Sequence, residues 1–157
     1  MYGGARVGLM GVLADAVLEN GGRVTGVIPE SLVSREVAHD RLSDLRIVES
    51  MHARKAMMAD LADGFIALPG GWGTLEELFE VLTWAQLGLH RKPCGVLNVR
   101  GFYDGLLSFL EHSVEERFVR REYRQMVMVS SSPGDILDLF AQYAPPAVEK
   151  WIDRAET

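Results

Sequence analysis

The run Leu68-Pro69-Gly70-Gly71-Trp72-Gly73-Thr74-Leu75-Glu76-Glu77 constrains this chain more than any other stretch. An apolar, strand-like segment (residues 64–68) leads into it, and a helix-like segment (75–87) leaves it. A glycine-rich turn from strand to helix lets backbone N–H groups approach an anion closely, and the helix N-terminus adds partial positive charge. Phosphate is the natural guest. A carboxylate repels phosphate, so Glu77 reads instead as an acid, a base or a cation stabiliser beside it. A tight connection alone explains one or two glycines. Three glycines, a proline and a threonine within residues 69–74 favour anion binding.

The remaining pattern alternates. Tyr2-Gly3-Gly4 reads as a strand end entering a glycine loop, and Gly8-Leu9-Met10-Gly11 leads into a helix through Leu18 that stops at Asn20-Gly21-Gly22. Residues 23–29 read as a buried strand, 30–44 as a polar loop or short helix, and 45–48 as a short strand. Ser50 is placed to cap a helix through Leu61, with Met51, Met57, Met58 and Leu61 for its inner face. Beyond the glycine turn come a strand at 95–99, a helix at 103–118 and a strand at 126–129. A helix then starts at Pro133 behind Ser132, and 145–157 reads as a peripheral helix. Strands alternating with helices of about ten to fifteen residues indicate βαβ units and a parallel sheet. The fold expected is therefore α/β, in one domain over residues 1–157. Ligands in such sheets bind beyond the carboxyl ends of the strands, so the turns at 3–11 and 70–73 are expected to line one pocket.

Composition narrows the function classes. Formal charge is 16 − 22 = −6, which argues against a general nucleic-acid binder. The single cysteine, Cys94, permits no internal disulfide and reads as a buried strand residue, with a catalytic thiol as the alternative. No apolar run approaches the ~20 residues of a membrane span, and the N-terminus lacks signal-peptide features. A cytoplasmic protein acting on a small molecule is expected, with no metal, since no His/Cys cluster has ligand spacing.

Individual residues carry competing readings. Thr74 and Glu77 have the Thr-x-x-Glu spacing of a helix capping box, which spacing alone does not separate from a catalytic role. Arg54 and Lys55 fall within a helix, where one of the two is expected to face solvent. Trp72 either stacks on a base or plugs the turn. Phe79 and Trp84 read as core. Thr83 and Glu80 read as a surface helix face, and His90-Arg91-Lys92 as a complement to the preceding helix C-terminus.

Taken in order, four blocks resemble the LOG ("lonely guy") family. They are Tyr2-Gly3-Gly4 with Gly8-Leu9-Met10-Gly11; Gly26-Val27-Ile28-Pro29; Met51-His52-Ala53-Arg54-Lys55; and Pro69-Gly70-Gly71-Trp72-Gly73-Thr74-Leu75-Glu76-Glu77. The resemblance covers nearly the whole chain. It implies a Rossmann-like parallel sheet flanked by helices, a homodimer, and cytokinin riboside 5′-monophosphate phosphoribohydrolase activity. That activity cleaves the N-glycosidic bond of AMP or an N6-modified AMP, giving free base and ribose 5-phosphate without a cofactor. By the same resemblance Arg54 and Glu77 are the catalytic pair, and Glu36, Lys55, Gly71, Trp72, Gly73, Thr74 and Thr83 bind substrate. Some relatives bear an older lysine decarboxylase label, but nothing in these residues suggests a pyridoxal phosphate site. Two departures stand out. Ala5 occupies the place of a third glycine, which demands a less permissive backbone. The family's first strand, glycine/serine turn and helix have no counterpart before Tyr2, which implies an N-terminally truncated sheet. A nucleotide-binding protein without hydrolysis is therefore the alternative, against which the intact Arg54 and Glu77 argue.

Overall fold

Gly26, Val27, Ile28 and Pro29 are all buried, the pattern of a parallel strand covered on both faces. They belong to the first of two compact units, Met1–Ala62 and Asp63–Thr157, in a computed structural model that describes residues 1–33 and 38–146. The first unit runs α1 (Gly8–Glu19), β1 (Thr25–Pro29), α2 (Glu30–Val33), β2 (Asp44–Val48) and α3 (Met51–Leu61). β1 and β2 pair in parallel from Thr25↔Asp44 to Pro29↔Val48. Tyr2 adds a parallel bridge to Gly26 on the other side of β1: its N–H donates to the Thr25 carbonyl, and its carbonyl accepts from the Val27 N–H, both at 3.0 Å. α1 ends where expected, with the Gly22 N–H donating back to the Val17 carbonyl at 2.8 Å. Tyr2, Ala14 and Val24 form the local core, backed by Val17, Leu18 and Leu42.

The second unit runs β3 (Phe65–Ala67), α4 (Trp72–Gln86), β4 (Cys94–Leu97), a 3₁₀ turn (Val99–Gly101), α5 (Asp104–Glu115), α6 (Arg121–Arg124), β5 (Val127–Ser130) and α7 (Pro133–Ala141). Its three strands pair in parallel in the order β3-β4-β5. β4 is central and fully buried. Successive residues of a strand face opposite ways. Val96 accordingly joins Leu78 of α4 and Tyr103 and Leu110 of the α5 region in one core, while Gly95 lies under Ile136 and Phe140 of α7. Helices thus cover both faces of a parallel sheet, and the α/β, Rossmann-like expectation is met.

Several boundaries and faces differ from the sequence reading. α4 begins at Trp72, three residues early, and α5 stops at Glu115. α3 turns Arg54, Lys55 and Ala59 inward, whereas Met51 and Leu61 are exposed. A period of 3.6 locates faces but does not say which one packs, and here the buried one carries charge. Phe79, expected in the core, lies at the surface. Pro145 and Pro146 lie in no helix, and the rest of the expected tail helix falls outside the described residues.

Candidate functional site

In the first unit the site features gather on α3 and the opening glycines. Ser50 caps α3 as expected, its hydroxyl accepting from the Ala53 N–H at 3.1 Å, a bond worth about 1 kcal/mol. One turn on, Arg54 and Lys55 are only 7% and 9% exposed. The expectation that one of them is solvated is overturned. Both cations are buried side by side, and each engages partners in the folded chain. Burying charge is costly unless it is paired and hydrogen-bonded, so two adjacent buried cations exceed what a helix–sheet contact requires.

The Arg54 guanidinium lies against Gly3, where any Cβ would run into it, and its Nη1 reaches the Met51 sulfur at 3.7 Å. Gly4 takes the left-handed backbone (φ +81°), the conformation that favours glycine. Ala5 shows no positive φ. It is fully buried and bridges Ala38, so the missing third glycine costs nothing here. The His39 N–H holds the Gly4 carbonyl at 3.0 Å. Its ring Nδ1 accepts from the Arg41 N–H, which leaves Nε2 to donate to Asp15 Oδ1 at 3.1 Å. This buried latch on the glycine turn had no sequence signal. Glu36 lies outside the described residues.

In the second unit the glycine turn opens directly into α4. Gly71 is the N-cap and no side chain caps it. The first intrahelical bond runs from the Leu75 N–H to the Gly71 carbonyl at 3.1 Å, so the amides of Trp72, Gly73 and Thr74 precede it. Three N–H groups at a helix mouth are the parts of an anion site. The early start also decides the capping-box question. That motif needs Thr at the N-cap and Glu at the third helical position, but here Thr74 is itself third and Glu77 sits a turn further in. Thr74 packs over Gly70. Three residues at about 100° each place half-buried Thr74 and Glu77 on one side of α4. Trp72 is 89% exposed at the helix mouth, which removes the plug reading. Thr83 stands apart. Nine residues carry it to the far side of α4 from Thr74, and its hydroxyl donates to the Phe79 carbonyl at 2.7 Å.

Other candidates resolve simply. Cys94 is buried at the start of β4, and burial pushes its thiol up to about 12, which disqualifies it as a nucleophile near neutrality. His90 donates from Nε2 to the Val81 carbonyl at 2.8 Å and accepts the Lys92 N–H on Nδ1, tying the turn after α4 back to the second half of that helix. Sequence reasoning missed Tyr103, seen there only as a helix start. Its hydroxyl donates to the Leu68 carbonyl, 35 residues away, a distance that local spacing does not span.

Comparison with known proteins adds independent findings. The profile of a family described as "Possible lysine decarboxylase" matches residues 10–140. The cytokinin riboside 5′-monophosphate phosphoribohydrolase LOG of Oryza sativa subsp. japonica is 50% identical over 145 residues, covering 92% of this chain and 60% of that protein. The probable cytokinin riboside 5′-monophosphate phosphoribohydrolase LOGL2 of the same organism is 48% identical over 92% of this chain and 59% of its own. The Arabidopsis thaliana enzyme named LOG4 is 48% identical, with coverages of 92% and 67%. The chain thus spans about three fifths of the length of the rice relatives.

Proposed function

The chain belongs to the LOG family, and on that premise we propose that it hydrolyses the N-glycosidic bond of adenosine 5′-monophosphate or an N6-modified form of it. The products are an adenine-type free base, a cytokinin where N6 is modified, and ribose 5-phosphate. The relatives' names support this reading. The observation that carries it is the start of α4 at Trp72, which releases Glu77 from the capping role that would otherwise explain it.

The chemistry follows from the charges that develop. As the bond from C1′ to the base breaks, its electron pair leaves with the base, which takes up a proton, and a water oxygen bonds to C1′. The ribose passes through an oxocarbenium-like state. Glu77 stabilises that cation or accepts the water's proton. Arg54 orients the nucleotide and favours departure of the base; its burial supports such a fixed geometry. The amides of Gly71, Trp72, Gly73 and Thr74 anchor the 5′-phosphate, converting remote binding energy into positioning. Lys55 and Glu36 complete the substrate contacts that the family resemblance implies, and exposed Trp72 supplies a face for stacking. Thr83, which the resemblance also implies, lies on the opposite side of α4 from Thr74 and is left out of them. Residues 1–157 are taken as one Rossmann-like nucleotide-binding domain, acting in the cytoplasm as a homodimer on a small molecule rather than on nucleic acid. Among the described residues no helix is long and apolar enough to cross a membrane.

The test is chromatographic release of free base from AMP, with AMP binding followed by calorimetry. Glu77→Ala is expected to lower the rate by about 10²-fold or more, the usual worth of a positioned acid or base, while binding stays within threefold. Full activity in that variant removes Glu77 from the chemistry. A wild type that binds AMP without releasing base is a nucleotide-binding protein and not a hydrolase.

A further inference from the structure

The glycine turn has little of its own to steer it. Gly70 and Gly71 carry no side chains, and Pro69 has no N–H to give. The β3–β4 ladder ends at Ala67↔Val96, one residue before Leu68. Where the ladder stops, Tyr103 takes over: its hydroxyl donates to the Leu68 carbonyl at 2.5 Å. Tyr103 is 1% exposed, wedged among Leu78, Val96, Leu110 and Val127, so the ring has no freedom to follow the turn if it shifts.

Tyr103 is fixed from its backbone as well. Its N–H donates to Asn98 Oδ1 at 2.7 Å, and Asn98 Nδ2 donates to Asp104 Oδ1 at 2.7 Å. The Asn98 N–H donates in turn to the Ser130 carbonyl at 2.7 Å. One run of hydrogen bonds therefore ties together the carboxyl ends of β3, β4 and β5. In an open parallel sheet that is the rim where ligands bind.

From this we infer that Tyr103 is a positioning residue for the phosphate turn. Its hydroxyl pins the last carbonyl before Pro69 and so aims the amides of residues 72–74 at the nucleotide's phosphate. The inference deepens the phosphoribohydrolase reading and rests on it. A buried tyrosine satisfying its hydroxyl on the nearest carbonyl would contribute to stability alone. A positioning residue also controls phosphate affinity.

Tyr103→Phe separates the two, because it keeps the ring in the core and removes only the hydroxyl. The Michaelis constant for AMP and the dissociation constant of ribose 5-phosphate are each expected to rise about fivefold or more. The turnover number should stay within twofold, the signature of lost uniform binding. Backbone amide exchange across residues 70–75 should quicken about tenfold, while exchange across 106–110 stays as in the wild type. Asn98→Ala keeps the hydroxyl, loosens its anchor and should move the same quantities in the same direction, which covers the case of a poorly folding Phe variant. Unchanged constants and unchanged exchange at 70–75 overturn the inference, as does a lower melting temperature with both unaltered. If the wild type neither releases base nor binds ribose 5-phosphate, the hydrolase reading falls. The exchange measurement then still decides whether Tyr103 holds the turn.

Discussion

At Gly3 a single hydrogen in place of a methyl group decides where Arg54 goes. The guanidinium occupies the space a Cβ would need, so Gly3→Ala pushes it aside without touching the charge or the helix that carries it. Misplacing a reacting group by about 1 Å costs on the order of 10²-fold in rate. Gly3→Ala is therefore expected to lower the turnover number for AMP by about that factor, and denaturation should show a fold still cooperative. A variant with wild-type turnover would mean that Arg54 tolerates displacement and has no fixed task. The Gly3 contact was hidden in the sequence because a glycine beside a strand looks like any loop glycine. The burial of Arg54 and Lys55 was hidden too, since polar residues on a helix conventionally read as its solvated face. What made both legible as candidates was the family pattern and not the periodicity.

Among the elements, helix ends repay attention. α5 closes with two bonds back to its last turn, from the Arg117 N–H to the Val114 carbonyl at 3.0 Å and from the Phe118 N–H to the Ser113 carbonyl at 2.9 Å. That is the Schellman arrangement, whose pivot residue takes the left-handed backbone and is usually glycine. Here the pivot is Arg117 at φ +64°. A left-handed conformation costs a non-glycine residue roughly 1–2 kcal/mol, partly offset by the extra chain entropy a glycine brings to the unfolded state. Arg117→Gly is thus expected to stabilise the protein by about 0.5–1 kcal/mol, read as a higher urea midpoint at unchanged slope. A lower midpoint would show that the arginine side chain contributes more than its backbone costs. The same reasoning explains what sequence showed of the elements. Strand and helix cores were legible because apolar period and Ser or Pro start signals agree at Ser50 and Ser132. The start of α4 was not, because Gly71, Trp72 and Gly73 have loop-like propensities that the tertiary fold overrides. Those three residues matter most, because a helix starting at Leu75 would make Thr74 the N-cap and Glu77 its capping-box partner.

For the whole molecule the question is what covers α1. Gly11 and Ala14 face the core of their unit, yet Leu9, Val12, Leu13 and Ala16 recur at i, i+3, i+4 and i+7 on the exposed side. Val12 alone is 64% exposed. A helix apolar on both faces is a buried helix, and a contiguous apolar stripe at a surface marks a contact site. The homodimer proposed above supplies a natural cover, a second copy bringing the same stripe to its own two-fold axis. Light scattering on the purified chain is then expected to give twice the 17.4 kDa chain mass. Val12→Glu together with Leu13→Glu should convert it to the monomer mass, because a carboxylate buried without a partner at such an interface is strongly unfavourable. A wild type that runs as a monomer, or a double variant that stays dimeric, removes α1 from the interface. The sequence showed only that this helix is apolar; that the apolar surface lies on two opposite sides became visible once the sheet had claimed one of them.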